Sequence, residues 1–182
     1  MTALMDSIEG IQKNRSDLTL VNLSDNVVCK PEHGVEIAEG LKSNKTLKTL
    51  LLENTTQNND SAIALGDALS VNETLEVLNL EGNDIGADGL KALANGLAVN
   101  KGLKELKLGS QKKSFGNEAE RCLAEALDKN TTLVKLSLVI KDPSARNTVD
   151  RVLTRNTEIG FFFFFFSNQF FFFFYIYLFF LT

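Results

Sequence analysis

The sequence predicts an α/β solenoid of five to six leucine-rich units, each a short strand followed by a helix, with the strands parallel on a concave face. Three observations lead there. An Asn followed three or four residues later by the apolar residue that opens an L-x-x-L-x-L run, or a close variant, recurs from Asn14, Asn44, Asn72, Asn100 and Asn130, with a stub, NTEI, from Asn156. The lead apolar residues Leu18, Leu47, Leu75, Leu103, Leu133 and Ile159 are separated by 29, 28, 28, 30 and 26 residues. Between the runs lie segments whose apolar residues recur at helical spacing, such as Leu90, Leu93, Ala94 and Leu97.

Each element follows in turn. Residues 1–14 carry Leu4, Ile8 and Ile11 on one helical face and read as a helix capping the open end of the stack. The repeats occupy 15–160. Alternation within each run turns Leu75, Leu78 and Leu80, and likewise Leu103, Leu106 and Leu108, inward. The residues between line the concave face: Leu20 and Asn22, Thr49 and Leu51, Val77 and Asn79, Glu105 and Lys107, Lys135 and Ser137. The helices read VEIAEGLKSN, SAIALGDALSVN, GLKALANGLAVN, NEAERCLAEALDKN and TVDRVLTRN. A period of 28 to 29 with one strand and one helix is that of the long, ribonuclease-inhibitor-like repeat. The recurrent Asn admits a ligand-ladder reading. The structural reading is preferred: Asn tolerates the left-handed conformation, so Asn44, Asn72, Asn100 and Asn130 are expected to stop helices. Asn26 and Asn83 are expected to bond buried backbone in the turns after their strands, a series left incomplete by Thr55, Gln111 and Lys141. GNDIGADG from Gly82 is a tight turn into a helix; its glycine spacing is not that of a dinucleotide loop.

Composition narrows the function. The 182 residues suffice for one domain, the net charge is −4, and acidic and basic residues are interspersed, which argues against a nucleic-acid footprint. Cys29 and Cys122 form no C-x-x-C, so neither a disulfide framework nor a zinc site is expected, and a reducing, cytoplasmic setting fits. The N-terminal MTALMDSIEGIQKN contains acidic residues and no long apolar core, unlike a signal peptide. His33, alone in the polar loop KPEHG, reads as a surface residue with no nucleophile to serve. Cys122 falls on the apolar side of its helix and reads as core. No P-loop, H-E-x-x-H or EF-hand pattern occurs. A non-enzymatic binding surface is expected, with no cofactor, metal or nucleic acid.

Residues 103–138, LKELKLGSQKKSFGNEAERCLAEALDKNTTLVKLSL, resemble the tropomodulin and leiomodin family. The likeness rests on the loop Gly109-Ser110-Gln111-Lys112-Lys113 running into Phe115-Gly116-Asn117, on the helix end Leu127-Asp128-Lys129-Asn130 leading to Leu133, and on Asp142-Pro143-Ser144-Ala145-Arg146-Asn147 with a following helix that ends at Arg155-Asn156. Asp17 to Leu23 and the Asn58-Asn59-Asp60 loop are similar to the family's first strand and an early loop, and the resemblance spans roughly residues 4 to 160. It implies an actin-binding protein that caps the pointed end of filaments and acts in muscle thin filaments and the cytoskeleton, monomeric and cytoplasmic. Tropomyosin is implied as a partner only where an N-terminal half exists, since the segment given opens at the repeats. Two departures stand out: the family's aromatic fifth strand is here LSLVI, and its final helix and basic stretch give way from about Gly160 to a Phe-rich run. A generic ribonuclease-inhibitor-like scaffold or GTPase regulator is the alternative; it predicts regular turns throughout, whereas only the third unit has that form.

Six residues are candidates for the actin contact. Lys112, Lys113 and Phe115 lie in the loop of the longest unit, and insertions in a solenoid map to loops on one face. Lysines suit an acidic partner; the alternative is that they are solvated and Phe115 anchors the loop in the core. Arg146, Arg151 and Arg155 fall in the last unit, where Arg151 and Arg155 share a helix face; the alternative is a solvated face. The tail 161–182 holds thirteen of the fourteen Phe and no charge, so it reads apart from the body. It is long enough to span a bilayer, which would make the membrane a partner. Its polar Ser167-Asn168-Gln169 break and near-pure Phe composition instead suggest a translated T-rich non-coding stretch. If made, it should aggregate.

Overall fold

A computed structural model describes residues 3–159; the tail, with both of its readings, lies outside the described residues. The chain runs α1 (Ala3–Gln12), β1 (Leu20–Asn22), α2 (Pro31–Ser43), β2 (Thr49–Leu51), α3 (Asn59–Leu69), β3 (Val77–Asn79), α4 (Ala87–Val99), β4 (Glu105–Lys107), α5 (Gly116–Lys129) and β5 (Lys135–Ser137), then a helix α6 over 143–159. The five strands form one parallel sheet in sequence order. Each strand is followed by a helix that carries the chain back to its starting edge, which is what parallel pairing requires. The register is one whole unit per step: Val21, Leu50, Leu78, Leu106 and Leu136 face one another in line.

Alternation works as the sequence predicts. Leu50, Leu52, Leu78, Leu80, Leu106 and Leu108 are fully buried against Leu65, Leu93, Leu97, Leu123 and Leu127 of the helices. The residues between them open to the concave side, except Asn79, which is buried where its Nδ2 donates to Glu53 Oε2. Leu4, Ile8 and Ile11 of α1 are buried, and α1 packs on α2. Helices α3 and α4 approach through glycine: a Cβ on Gly96 would lie 2.2 Å from the Gly66 carbonyl oxygen. Among the described residues no helix is long and apolar enough to cross a membrane.

The recurrent Asn corrects the expectation of left-handed helix stops. Asn44, Asn100 and Asn130 do follow their helices, but in extended conformation, with φ of −71°, −65° and −81°. Their purpose is lateral. Each is buried, and its Nδ2 donates back to the preceding unit: Asn72 to Leu41 O and Asn44 O, Asn100 to Leu69 O and Asn72 O, Asn130 to Leu97 O and Asn100 O. The Oδ1 accepts from the backbone N–H groups that open its own unit, such as Gly102 and Leu103. Among the recurrent Asn only Asn14, after α1, is left-handed, with φ of 53°; left-handed positions recur instead at the corner after each of the first four strands: Asp25, Asn54, Gly82 and Ser110, with φ of 59°, 54°, 69° and 56°. There the Asp25, Asn54 and Gly82 N–H groups donate to Glu53 O, Glu81 O and Gly109 O of the next unit. In the turns, Asn83 bonds buried backbone as expected. Asn26 is half-exposed and accepts from Val28 N–H. Gln111 takes over the Asn83 part, donating to Leu80 O, Leu108 O and Gly109 O.

Ile159, the lead residue of the sixth stub, is helical, and the residues after it lie outside the described residues. Residues 143–159 are one helix. Asn156 Nδ2 still donates to Asn130 O and Leu133 O, but its Oδ1 accepts from Arg155 Nε. Residues 157–159, whose counterparts in earlier units have left the helix, remain helical.

Candidate functional site

The loop between β4 and α5 is pinned at both ends. Gln111 ties one end to the strands, Lys112 N–H donates to Asn83 O, and Phe115 buries its ring, 8% exposed, in the core. Phe115 is thus the anchor of the loop. Lys112, Lys113 and Ser114 are left exposed, and Lys113 Nζ sits 3.0 Å from Asp84 Oδ2. Below the loop is a hollow of about 160 Å³ lined by Lys113, Phe115, Glu120, Leu138, Val139 and Lys141. A second hollow of about 420 Å³, with Leu136, Val139, Ile140, Arg146, Val149 and Leu153 on its walls, opens between β5 and α6. Val139, 78% exposed, borders both. Arg146 donates through Nε and Nη2 to Ile140 O, at 2.9 and 2.5 Å, which holds its guanidinium beside the second hollow. The structure therefore gathers Lys113, Lys141 and Arg146 around an exposed apolar corner.

Arg151 and Arg155 do share a helix face, and it is turned toward α5. Arg151 Nη2 donates to Asp128 Oδ1 (3.0 Å), while Arg155 donates to Asp128 O (3.0 Å) and Asn130 O (2.5 Å). Arg155 thereby satisfies carbonyls at the end of α5. Between these helices lies a polar hollow of about 280 Å³ that includes Arg121, Asp128 and Arg151. Arg121 Nη2 approaches the buried Asp142 to 2.7 Å. The Arg121 guanidinium, with the Ala145 N–H, holds the Asp142 carboxyl below its ordinary range. Asp142 in turn caps α6 through that N–H.

The remaining reactive groups have local explanations. Burial, with Glu32 adding to it, pushes the Cys29 thiol up to about 11, so it is no thiolate. Cys122 packs partly buried against the core. His33 is more than a surface residue: its Nδ1 accepts from Lys30 N–H at the start of α2.

Sequence reasoning read Val139 as part of LSLVI and Lys141 as a turn position of the repeat and made neither a site candidate; both follow the last strand. It also passed over a charge gradient. Residues 1–100 hold fifteen Asp and Glu against seven Lys and Arg, and residues 101–159 hold eight against twelve. The basic end of the solenoid coincides with the Val139 corner.

A parallel sheet in sequence order backed by a stack of helices, with leucines at most inward positions, defines a leucine-rich repeat solenoid. The chain belongs to the TMOD/LMOD leucine-rich domain family, whose profile matches residues 1–159. Over 157 residues it is 34% identical to leiomodin-2 of Rattus norvegicus and 32% identical to leiomodin-3 of Homo sapiens, in each case over 86% of this chain. The chain spans 29% of the length of the first of these and 28% of the second. Among solved structures, leiomodin-1 actin-binding site 2 superposes with a TM-score of 0.85 at 28% identity, covering 93% of this chain and 98% of that one. The tropomodulin C-terminal domain of Caenorhabditis elegans gives 0.80 at 25% identity, covering 86% and 95%.

Proposed function

We propose that the chain is a non-catalytic actin-binding module that caps filament pointed ends. The observation that carries this is its likeness to leiomodin-1 actin-binding site 2 over nearly the whole of both chains. The contact is assigned to the loops that leave strands β4 and β5. Lys112 and Lys113 with Arg146 supply positive charge for an acidic partner, and Val139 supplies an apolar centre. Phe115 acts indirectly, by fixing the loop that presents the lysines, and Arg151 and Arg155 act by fixing α6 on α5. The working location is the cytoplasmic cytoskeleton, with tropomyosin as a partner only through a further N-terminal region.

Binding to fluorescently labelled actin, measured by anisotropy with the full chain, tests the coarser half of this reading. Saturable binding that weakens with added salt supports it. A folded chain that leaves the signal flat at tens of micromolar contradicts it.

A further inference from the structure

The concave face changes character along the solenoid. In its first three units the two outward rows read Leu20, Thr49, Val77 and Asn22, Leu51, Asn79, with no charge among them. Leu20 is 55% exposed, and Thr49, Leu51 and Val77 are half-buried. Where these strands turn outward the floor meets Glu53 and Glu81, at equivalent positions of the second and third units, and Asp25, one residue further along the first unit and beside Asn54. Neutral groups alone serve them: Asn54 Nδ2 donates to Asp25 Oδ1 (2.9 Å), Asn79 Nδ2 to Glu53 Oε2 (3.1 Å) and Ser137 Oγ to Glu81 Oε1 (2.7 Å). Among the described residues none of the three joins an ion pair. The rest of the face is neutralised. Glu76 lies between Lys48 and Lys104, at 3.1 and 2.7 Å, and Glu105 between Lys107 and Lys135, at 3.7 and 3.0 Å. Val27 and Val28, 82% and 59% exposed, extend the apolar surface beyond Asp25.

We infer that the concave face of the first three units is a docking surface for a partner-protein segment in which Lys or Arg alternates with apolar side chains. Glu53 and Glu81 follow neighbouring parallel strands in register, where like charges repel. Cations from a partner relieve that repulsion, while the alternate apolar side chains cover Leu20, Leu51 and Val77. Charge complementarity selects this occupant, because the first 100 residues are strongly acidic. Apart from Glu81, which accepts from Ser137 of β5, the surface lies away from the loops assigned to actin and shares no residue with them, so it stands or falls independently of that reading.

The test is fluorescence anisotropy with the full chain and a fluorescein-labelled peptide of about eight residues alternating Lys and Leu. A peptide alternating Glu and Leu is the control. The Lys peptide is expected to bind and the Glu peptide not to. Paired Glu53→Gln and Glu81→Gln should weaken binding about tenfold, and Leu20→Ser should weaken it at unchanged net charge. Asp67→Asn with Asp88→Asn, exposed positions on α3 and α4, removes the same charge from the helical side and should leave affinity unchanged. Circular dichroism confirms that each variant folds. No binding, equal weakening by the two charge-removing pairs, or a concentration-dependent self-association abolished by the Glu53 and Glu81 changes would each overturn the inference.

Discussion

The amide of Asn100 donates to Leu69 O and Asn72 O and accepts from Gly102 and Leu103 N–H, all in the core. Removing it strands buried backbone groups on two units, each costing about 1–3 kcal/mol. Asn100→Ala should therefore lower unfolding stability by roughly 3 kcal/mol or more, read from urea midpoints. Asn100→Asp keeps the acceptor, loses both donors and buries a charge, so it should be at least as damaging. A harmless Asp variant would show that the ladder is not what joins the units. Asp142 gives a pH-dependent case. Its carboxyl is held low in the fold by Arg121 and the Ala145 N–H. A depressed folded value means that its contribution is present above the ordinary carboxylate range and is lost as pH falls through the folded value. Asp142→Asn should be less stable than the parent at about pH 7, and the gap should narrow as pH falls below the ordinary carboxylate range. A gap that stays constant with pH would exclude the ion pair as the cause. The recurrence of Asn was plain in the sequence, but its reach was not, because the partner carbonyls lie about 30 residues upstream. The left-handed corner was hidden for a different reason: Asp25, Asn54, Gly82 and Ser110 share a conformation and no chemistry.

At the scale of elements, the helices pack as closely as their glycines permit. Gly96→Ala places a methyl against the Gly66 carbonyl, with backbone on both sides and little room to give. It should cost about 1–3 kcal/mol despite the better helix propensity of Ala. A neutral or stabilising result would mean that α3 and α4 separate easily. Strand and helix positions were legible because leucine spacing encodes them directly: Leu78 and Leu93 fall inward by period alone. That residues 157–159 stay helical was not, because Arg155 bonds the Asn156 oxygen that accepts backbone N–H groups in earlier units. That bond is visible only once α5 and α6 are side by side. Arg155 also bonds Asp128 O and Asn130 O, so Arg155→Ala should lower the melting temperature before it alters any actin contact. Lost actin binding at unchanged stability would instead make Arg155 a direct contact.

For the whole molecule, the charge gradient gives the solenoid an acidic and a basic end, and the basic end is the one proposed to meet actin. Lys112 and Lys113 are exposed on a pinned loop and the Lys113–Asp84 pair lies at the surface, so paired Lys112→Glu and Lys113→Glu should cost no more than about 1 kcal/mol while reducing actin affinity and its salt dependence. Of the candidate site, the lysines were readable as the loop of the longest unit. Val139 and Lys141 were not, since only the fold brings the end of β5 under that loop. The most direct measurement is elongation of actin from seeds with blocked barbed ends in the presence of the folded chain. Pointed-end growth that slows with dose to a plateau, and recovers in the Lys112 and Lys113 reversal, is the predicted result. Growth that remains unchanged at tens of micromolar, with folding confirmed, would contradict capping by these repeats.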